Sequence, residues 1–208
     1  MNKSDLQVYL VTDRDLCCGR NLVDVVRDAV IGGVTMVQLR EKNCDTGLFV
    51  KLAYDLKQLL QTYRVPLIIN DRIDVALAVD ADGVHIGQSD MSYEIARQLL
   101  GNNKIIGLSV ENMEQVLAAN ELDVDYIGVS PVFSTSTKTD IAQPFGLAGL
   151  KKASELSKHP IVAIGGIHLN NAKEVIQNGA DGLAIVSEIV SASNPMLATK
   201  QLKELWKL

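Results

Sequence analysis

The chain has 208 residues, 47% hydrophobic and 22% charged, with a formal net charge of −5. A domain of about this size buries roughly 70% of its unfolded surface and needs no covalent staples, which excludes disordered, collagenous and disulfide-scaffold proteins. The acidic balance excludes a nucleic-acid binder driven by phosphate neutralisation, yet allows a local cluster of Lys and Arg around a small phosphorylated ligand.

The amino-terminal stretch MNKSDLQVYLVTD has no apolar secretory region, and no segment reaches the ~18 apolar residues of a membrane span. Cys17, Cys18 and Cys44 show neither CxxC nor Cys/His ligand spacing and read as free thiols of a reducing compartment. The expectation is a soluble cytoplasmic protein with no membrane and no nucleic-acid partner. Homo-oligomers are compatible with the sequence but not demanded by it.

Eight apolar runs rich in Val and Ile follow one another: 7–12, 35–40, 66–70, 82–87, 104–109, 125–130, 160–166 and 181–187. Their near-continuous apolarity suits parallel strands covered on both faces. Amphipathic stretches separate them. The clearest runs from Asp45 to Tyr63, where Leu48, Leu52, Leu56, Leu59 and Leu60 form the expected buried stripe. Gly32, Gly33, Gly101 and Gly179 mark helix ends, and Pro66 and Pro160 open strands. AVDADGVHIG, ELDVDYIGVS and NGADGLAIVS echo one another, as repeated βα units would. Eight alternations without a linker predict a single (β/α)8 TIM barrel over residues 1–208, near the short limit of about 200 residues for that fold.

In such a barrel, function collects just past the carboxyl ends of the strands. Gln38, Arg40 and Lys42 lie there after the second strand, and Asn70 and Asp71 after the third. Gln88 and Asp90 follow the fourth, Ser109 closes the fifth, and Thr135, Ser136, Thr137 and Lys138 follow the sixth. Gly165–Gly166 and Val186–Ser187 end the last two strands, where this fold often holds phosphate on backbone N–H groups. A tight strand-to-helix turn would also explain the two glycines.

Arg40 and Lys42, two residues apart, predict a second anion site, with Glu41 between them partly balancing the pair. Asp71 and Asp90 near an anion point to Mg²⁺, which takes one or two carboxylates together with phosphate oxygens and water. Each is alternatively the N-cap of the helix after it. His85, inside a strand, reads as a packed or hydrogen-bonded barrel residue, and His159 and His168 as solvated. No Ser/His/Asp constellation, GxGxxG or metalloprotease helix is found.

YLVTD, VQLREK, IIND, GVHIGQSD, GLS, GVSPVFSTSTK and AIGGI through IVS, in this order from Tyr9 to Ser187, resemble the thiamine-phosphate synthase family. The resemblance implies that a hydroxymethylpyrimidine diphosphate is joined to a thiazole ethyl phosphate, or its carboxylated form, with release of diphosphate. It implies that Gln38, Leu39, Arg40, Glu41 and Lys42 hold the pyrimidine diphosphate, Gln38 reading the ring, with further diphosphate contacts from Asn70 and Lys138. Ser109 would lie near the pyrimidine and the departing group. Arg40, Lys42, Ser109 and Lys138 would carry the chemistry, and Asp71 and Asp90 would ligate Mg²⁺. Thr135, Ser136, Thr137, Gly166, Val186 and Ser187 would bind the thiazole phosphate. Ser89 stands where many relatives carry an acidic residue.

The rival readings are a thiazole tautomerase of the same fold, an isomerase of phosphorylated sugars or indole precursors, and a catalytically silent thiamine-precursor binding protein. The tautomerase would place a catalytic His at the end of the sixth strand, where this chain reads Gly128–Phe133 without one. The silent binder would have lost Arg40, Asp71, Asp90 or Lys138, and all are present. The segment from Thr135 to Gln143, rich in Ser and Thr and lacking an apolar period, is the candidate to close over the site.

Overall fold

The computed structural model describes residues 1–134 and 143–207. Eight parallel strands pair in sequence order into a closed barrel, the last against the first. They are β1 (Val8–Val11), β2 (Met36–Leu39), β3 (Leu67–Asn70), β4 (Gly83–Ile86), β5 (Ile105–Val110), β6 (Tyr126–Val129), β7 (Ile161–Ile164) and β8 (Gly182–Ile185). Between them run α1 (Leu22–Gly32), α2 (Thr46–Tyr63), α3 (Ile73–Ala78), α4 (Tyr93–Leu100), α5 (Met113–Ala119), α6 (Gly146–Leu156) and α7 (Leu169–Gln177). The short α8 (Ser187–Val190) follows β8, and α9 (Pro195–Glu204) packs across α1. The predicted TIM barrel and the position of every strand are as the sequence implies.

Strand alternation sorts the apolar residues into two cores. Val8, Leu10, Val37, Leu39, Ile69 and Val84 join the helices in the outer layer, while Tyr9, Val11, Met36, Ile68, Tyr126, Val162 and Ala184 fill the barrel. The near-continuous apolar runs are thus two alternating sets, each buried. At the floor, Leu6 seats against Gly182, where a Cβ would lie 2.2 Å from the Leu6 carbonyl oxygen.

The threefold echo in the sequence has a physical origin at this amino-terminal face. Asp82, Asp125 and Asp181 precede β4, β6 and β8, and each accepts a bond from an N–H in the opening two residues of the strand before. The donors are Leu67, Ile106 and Ile161, at 2.8, 2.9 and 2.9 Å. Thr35 serves β1 and β2 the same way through Val8 N–H, at 3.0 Å. Lys57, Arg97 and Lys3 neutralise the three carboxylates. These residues fasten the strands in neighbouring pairs, β1–β2, β3–β4, β5–β6 and β7–β8, at the end of the barrel that serves stability.

On α2 the buried stripe is Phe49, Ala53, Leu56 and Leu60, whereas Leu48 is exposed and Leu52 and Leu59 are half-buried. Phe49 is the largest apolar side chain near the helix start, and burying it turns the helix so that Leu48 faces solvent. After β6 the chain is laced to its neighbours. Val132 N–H and Phe133 N–H donate to the carbonyls of Ile164 and Gly165, at 2.8 and 3.1 Å. The returning Phe145 and Gly146 N–H groups donate to Pro131 and Val132, at 2.9 Å each.

Candidate active site

A cavity of about 240 Å³ opens at the carboxyl ends of the strands, and side chains from all eight strands or the turns after them reach it. On one side stand Gln38, Arg40, Asn70, His85 and Ser109; on the other Gly166, Val186 and Ser187, with Thr12 and Ser130 between. Seven expected residues therefore share one cavity: Gln38, Arg40, Asn70, Ser109, Gly166, Val186 and Ser187. Thr135, Ser136, Thr137 and Lys138 lie outside the described residues, as does most of the segment expected to close over the site.

Gly165 and Gly166 have φ of +97° and +64°. A Cβ on Gly165 would sit 2.8 Å from Pro131 Cβ, and one on Gly166 2.7 Å from Phe133 Cβ. Backbone conformation and close packing each require glycine here, so the turn explains both residues whether or not an anion binds.

The two cations of the second anion site part company. Arg40 lines the cavity, while Lys42 reaches sideways to Asp71, its Nζ 2.5 Å from Oδ2. β2 ends at Leu39, so strand alternation no longer aims both residues the same way. Glu41 balances neither: both its oxygens accept from Arg14 Nε at 2.8 Å, and its side chain is 4% exposed. Leu39 is fully buried in the outer layer, so its side chain faces the helices and does not line the cavity.

Neither aspartate caps its helix. Arg72 occupies the N-cap of α3 and Ser92 that of α4. Asp71 takes a left-handed φ of +61°, and Asp90 folds back to accept from Gly87 N–H at 2.7 Å. The two carboxyls are near enough for each to perturb the other's protonation. Burial works to raise Asp71, but bonds to Lys42 and to the Asp90 carboxyl outweigh it and hold Asp71 below the usual range. Burial raises Asp90 above that range; the Gly87 N–H opposes it and the Asp71 charge adds to it.

Among the described residues no cluster of three or more His, Cys, Asp or Glu could hold a metal ion. A lone pair of crowded carboxylates suits a hard cation that completes its shell with water and phosphate oxygens, as Mg²⁺ does. The cysteines are unbridged, Cys17 buried and Cys18 exposed.

His85 is buried and bonded, as expected, but its partners join it to the cavity floor. Gln38 Nε2 donates to the Tyr9 hydroxyl at 2.8 Å, and the Tyr9 and Tyr126 hydroxyls are 2.8 Å apart. Tyr126 lies 3.0 Å from His85 Nδ1, and His85 Nε2 2.8 Å from Ser109 Oγ. Gly107 and Gly128 make room for this chain: a Cβ on the first would overlap Tyr126 and one on the second would press Ile164 and His85. Sequence reasoning missed Tyr9 and Tyr126, which pass for apolar filler within their strands. His168 is exposed, as the sequence implies, and it also borders the cavity, its Nδ1 2.8 Å from Glu188. His159 is half-buried and bonds the Ala119 carbonyl at 2.9 Å.

A closed parallel barrel with its polar side chains converging on one mouth is the architecture of a barrel enzyme. A family model described as thiamine monophosphate synthase matches residues 8–189. The thiamine-phosphate synthase of Albidiferax ferrireducens is 54% identical over 200 residues, covering 96% of this chain and 91% of the relative. That of Vibrio campbellii is 53% identical, covering 97% and 98%. The thiamine phosphate pyrophosphorylase structure from Pyrococcus furiosus superposes with a TM-score of 0.90 at 40% identity, covering 99% and 97%. The chain belongs to the thiamine monophosphate synthase family, transferases of thiamine biosynthesis. A 3-hexulose-6-phosphate synthase, at 16% identity and a TM-score of 0.68, shares the barrel fold. No helix among the described residues is long and apolar enough to cross a membrane.

Proposed function

We propose that this protein, in the cytoplasm, condenses 4-amino-2-methyl-5-(diphosphooxymethyl)pyrimidine with 4-methyl-5-(2-phosphoethyl)thiazole, or its carboxylated form. The products are thiamine phosphate and diphosphate, together with carbon dioxide when the acceptor is the carboxylated thiazole. The observation that carries the reading is one cavity with two polar ends: Gln38, Arg40, Asn70 and Ser109 at one, Gly166, Val186 and Ser187 at the other. The first end takes the pyrimidine diphosphate, with Asp71 and Asp90 outside the cavity lining and Asp71 adjoining Asn70 in the chain; the second takes the thiazole phosphate.

The bond from the pyrimidine methylene to the diphosphate oxygen breaks with its electron pair on the diphosphate. The electron-rich ring stabilises the methylene cation, and the thiazole nitrogen then closes the new C–N bond. Such a reaction needs charge stabilisation on the leaving oxygens and an oriented nucleophile, with little acid–base work. Arg40, Lys42 and Lys138 supply positive charge to the diphosphate, and Ser109 donates a hydrogen bond beside the departing group. Leu39 and Glu41 contribute backbone at this end, because one side chain is buried outward and the other is held by Arg14. Thr135, Ser136, Thr137 and Ser187 orient the thiazole phosphate. Asp71 and Asp90 would hold Mg²⁺, which neutralises charge on the leaving diphosphate.

Thiamine phosphate formation by purified protein, with each substrate and Mg²⁺ omitted in turn, tests the reading. Product that needs all three supports it. No product, with thiazole phosphate still bound, moves the assignment to a tautomerase or a silent binder.

A further inference from the structure

The hydrogen bonds that cross the barrel between Gln38 and Ser109 form an unbroken line through Tyr9, Tyr126 and His85, with no gap longer than 3.0 Å. Tyr9 and Tyr126 are fully buried, and neither lines the cavity. Their rings meet edge to face at 5.8 Å, and Tyr126 stacks on His85 at 5.6 Å. Burial pushes both phenols above their ordinary range, so each keeps its single proton. A hydroxyl has one proton to donate, and a neutral imidazole has one nitrogen that donates and one that accepts. Orientation at one end of such a line therefore dictates orientation at the other.

We propose that Tyr9, Tyr126 and His85 are positioning residues that polarise the two ends of the pyrimidine site in opposite senses. Gln38 donates its amide N–H to Tyr9, Tyr9 donates to Tyr126, Tyr126 to His85 Nδ1, and His85 Nε2–H to Ser109 Oγ. The Gln38 carbonyl oxygen is thereby left to accept from the cavity, where it suits an exocyclic amine. The Ser109 hydroxyl, already accepting from His85, is left to donate, where it suits an oxygen that gains negative charge. Reversing the line would present an N–H to the amine at one end and bind the serine proton to His85 at the other. This inference deepens the synthase reading and rests on it for the identity of the amine and of the oxygen.

Two measurements test it, the first without substrate. The chain has three histidines, so ¹⁵N spectra of the ligand-free protein, assigned with His159→Gln and His168→Gln, report the His85 tautomer. The expected form is protonated at Nε2, and Tyr126→Phe removes that preference. A wild-type His85 protonated at Nδ1 overturns the proposal.

The second measurement compares the amino-pyrimidine diphosphate with its oxo analogue. Tyr126→Phe should lower kcat about tenfold and shrink the preference for the amino compound by about tenfold, the scale of one buried hydrogen bond left unmade. A melting temperature that falls while the preference stays whole means a purely structural role and also overturns the proposal. Because the tautomer is read on free protein, a wild-type enzyme that makes no product would refute the synthase reading and leave the direction of the line decided on its own.

Discussion

Lys42 Nζ lies 2.5 Å from Asp71 Oδ2, so the lysine expected on the diphosphate rests, in the free protein, on one of the two carboxylates expected to hold the metal. The ammonium stands in for a cation and keeps Asp71 ionised against its partial burial. Substrate and metal together would take both groups from each other.

Lys42→Met should consequently move two affinities in opposite directions. An ion pair whose lysine is about half exposed contributes only ~0–1 kcal/mol, so the free protein should bind Mg²⁺ or Mn²⁺ a few-fold more tightly. The KM for the pyrimidine diphosphate should rise about tenfold, from the lost charge-assisted bond. Titration with Mn²⁺ by electron paramagnetic resonance, beside steady-state kinetics, reads both. Weakening of both would show that Lys42 serves to assemble the metal site.

Asp90→Asn should raise the Mg²⁺ needed for half-maximal rate at least about tenfold and leave thermal stability nearly unchanged. The asparagine carbonyl can still accept from Gly87 N–H, and the repulsion against Asp71 is gone. In the wild type the raised Asp90 carboxyl takes up a proton at higher pH than an ordinary carboxylate. The Mg²⁺ demand should therefore climb as pH falls, beginning above the usual carboxylate range, and the variant should flatten that climb. An unchanged Mg²⁺ titration would remove Asp90 from the metal site.

Ser187→Ala should raise the KM for the thiazole phosphate about tenfold and move that of the pyrimidine diphosphate less than about twofold. Initial rates with each substrate varied separately make the comparison. Equal losses would contradict the division of the cavity into two ends.

Gly107→Ala should cost about 1–3 kcal/mol of stability, because the added methyl would fall 2.1 Å from Tyr126 Cζ on a ring pinned by Tyr9 and His85. Urea unfolding measures it. A neutral result would mean that Tyr126 can leave its place without loss.

The strands were legible in the sequence because a buried parallel strand needs apolar side chains on both faces, and runs such as PLIIN and DYIGVS carry that requirement openly. The gathering of Gln38, Asn70, Ser109 and Ser187 was legible for the same reason, since polar residues at strand ends stand out against such runs. What stayed hidden depends on direction. Lys42 and Glu41 follow the end of β2, so their partners Asp71 and Arg14 are set by the loop path and not by spacing. Leucine spacing on α2 overlooked Phe49, whose bulk settles which face turns inward. Tyr9 and Tyr126 differ from their apolar neighbours by one hydroxyl each, and only the closing of the barrel brings those hydroxyls into line with Gln38, His85 and Ser109, on five strands in all.

The lacing of Pro131–Phe133 to Ile164, Gly165, Phe145 and Gly146 has an evolutionary reading. The chain leaves and re-enters the barrel through a fastened neck, so the ends of the intervening segment are already joined whatever lies between them. Closing such a segment costs only slowly more as it lengthens. The described ends at Val132–Phe133 and Phe145–Gly146 therefore hold the barrel closed independently of the length of chain that joins them. A change of length between these two anchors would leave the strand register beneath them intact.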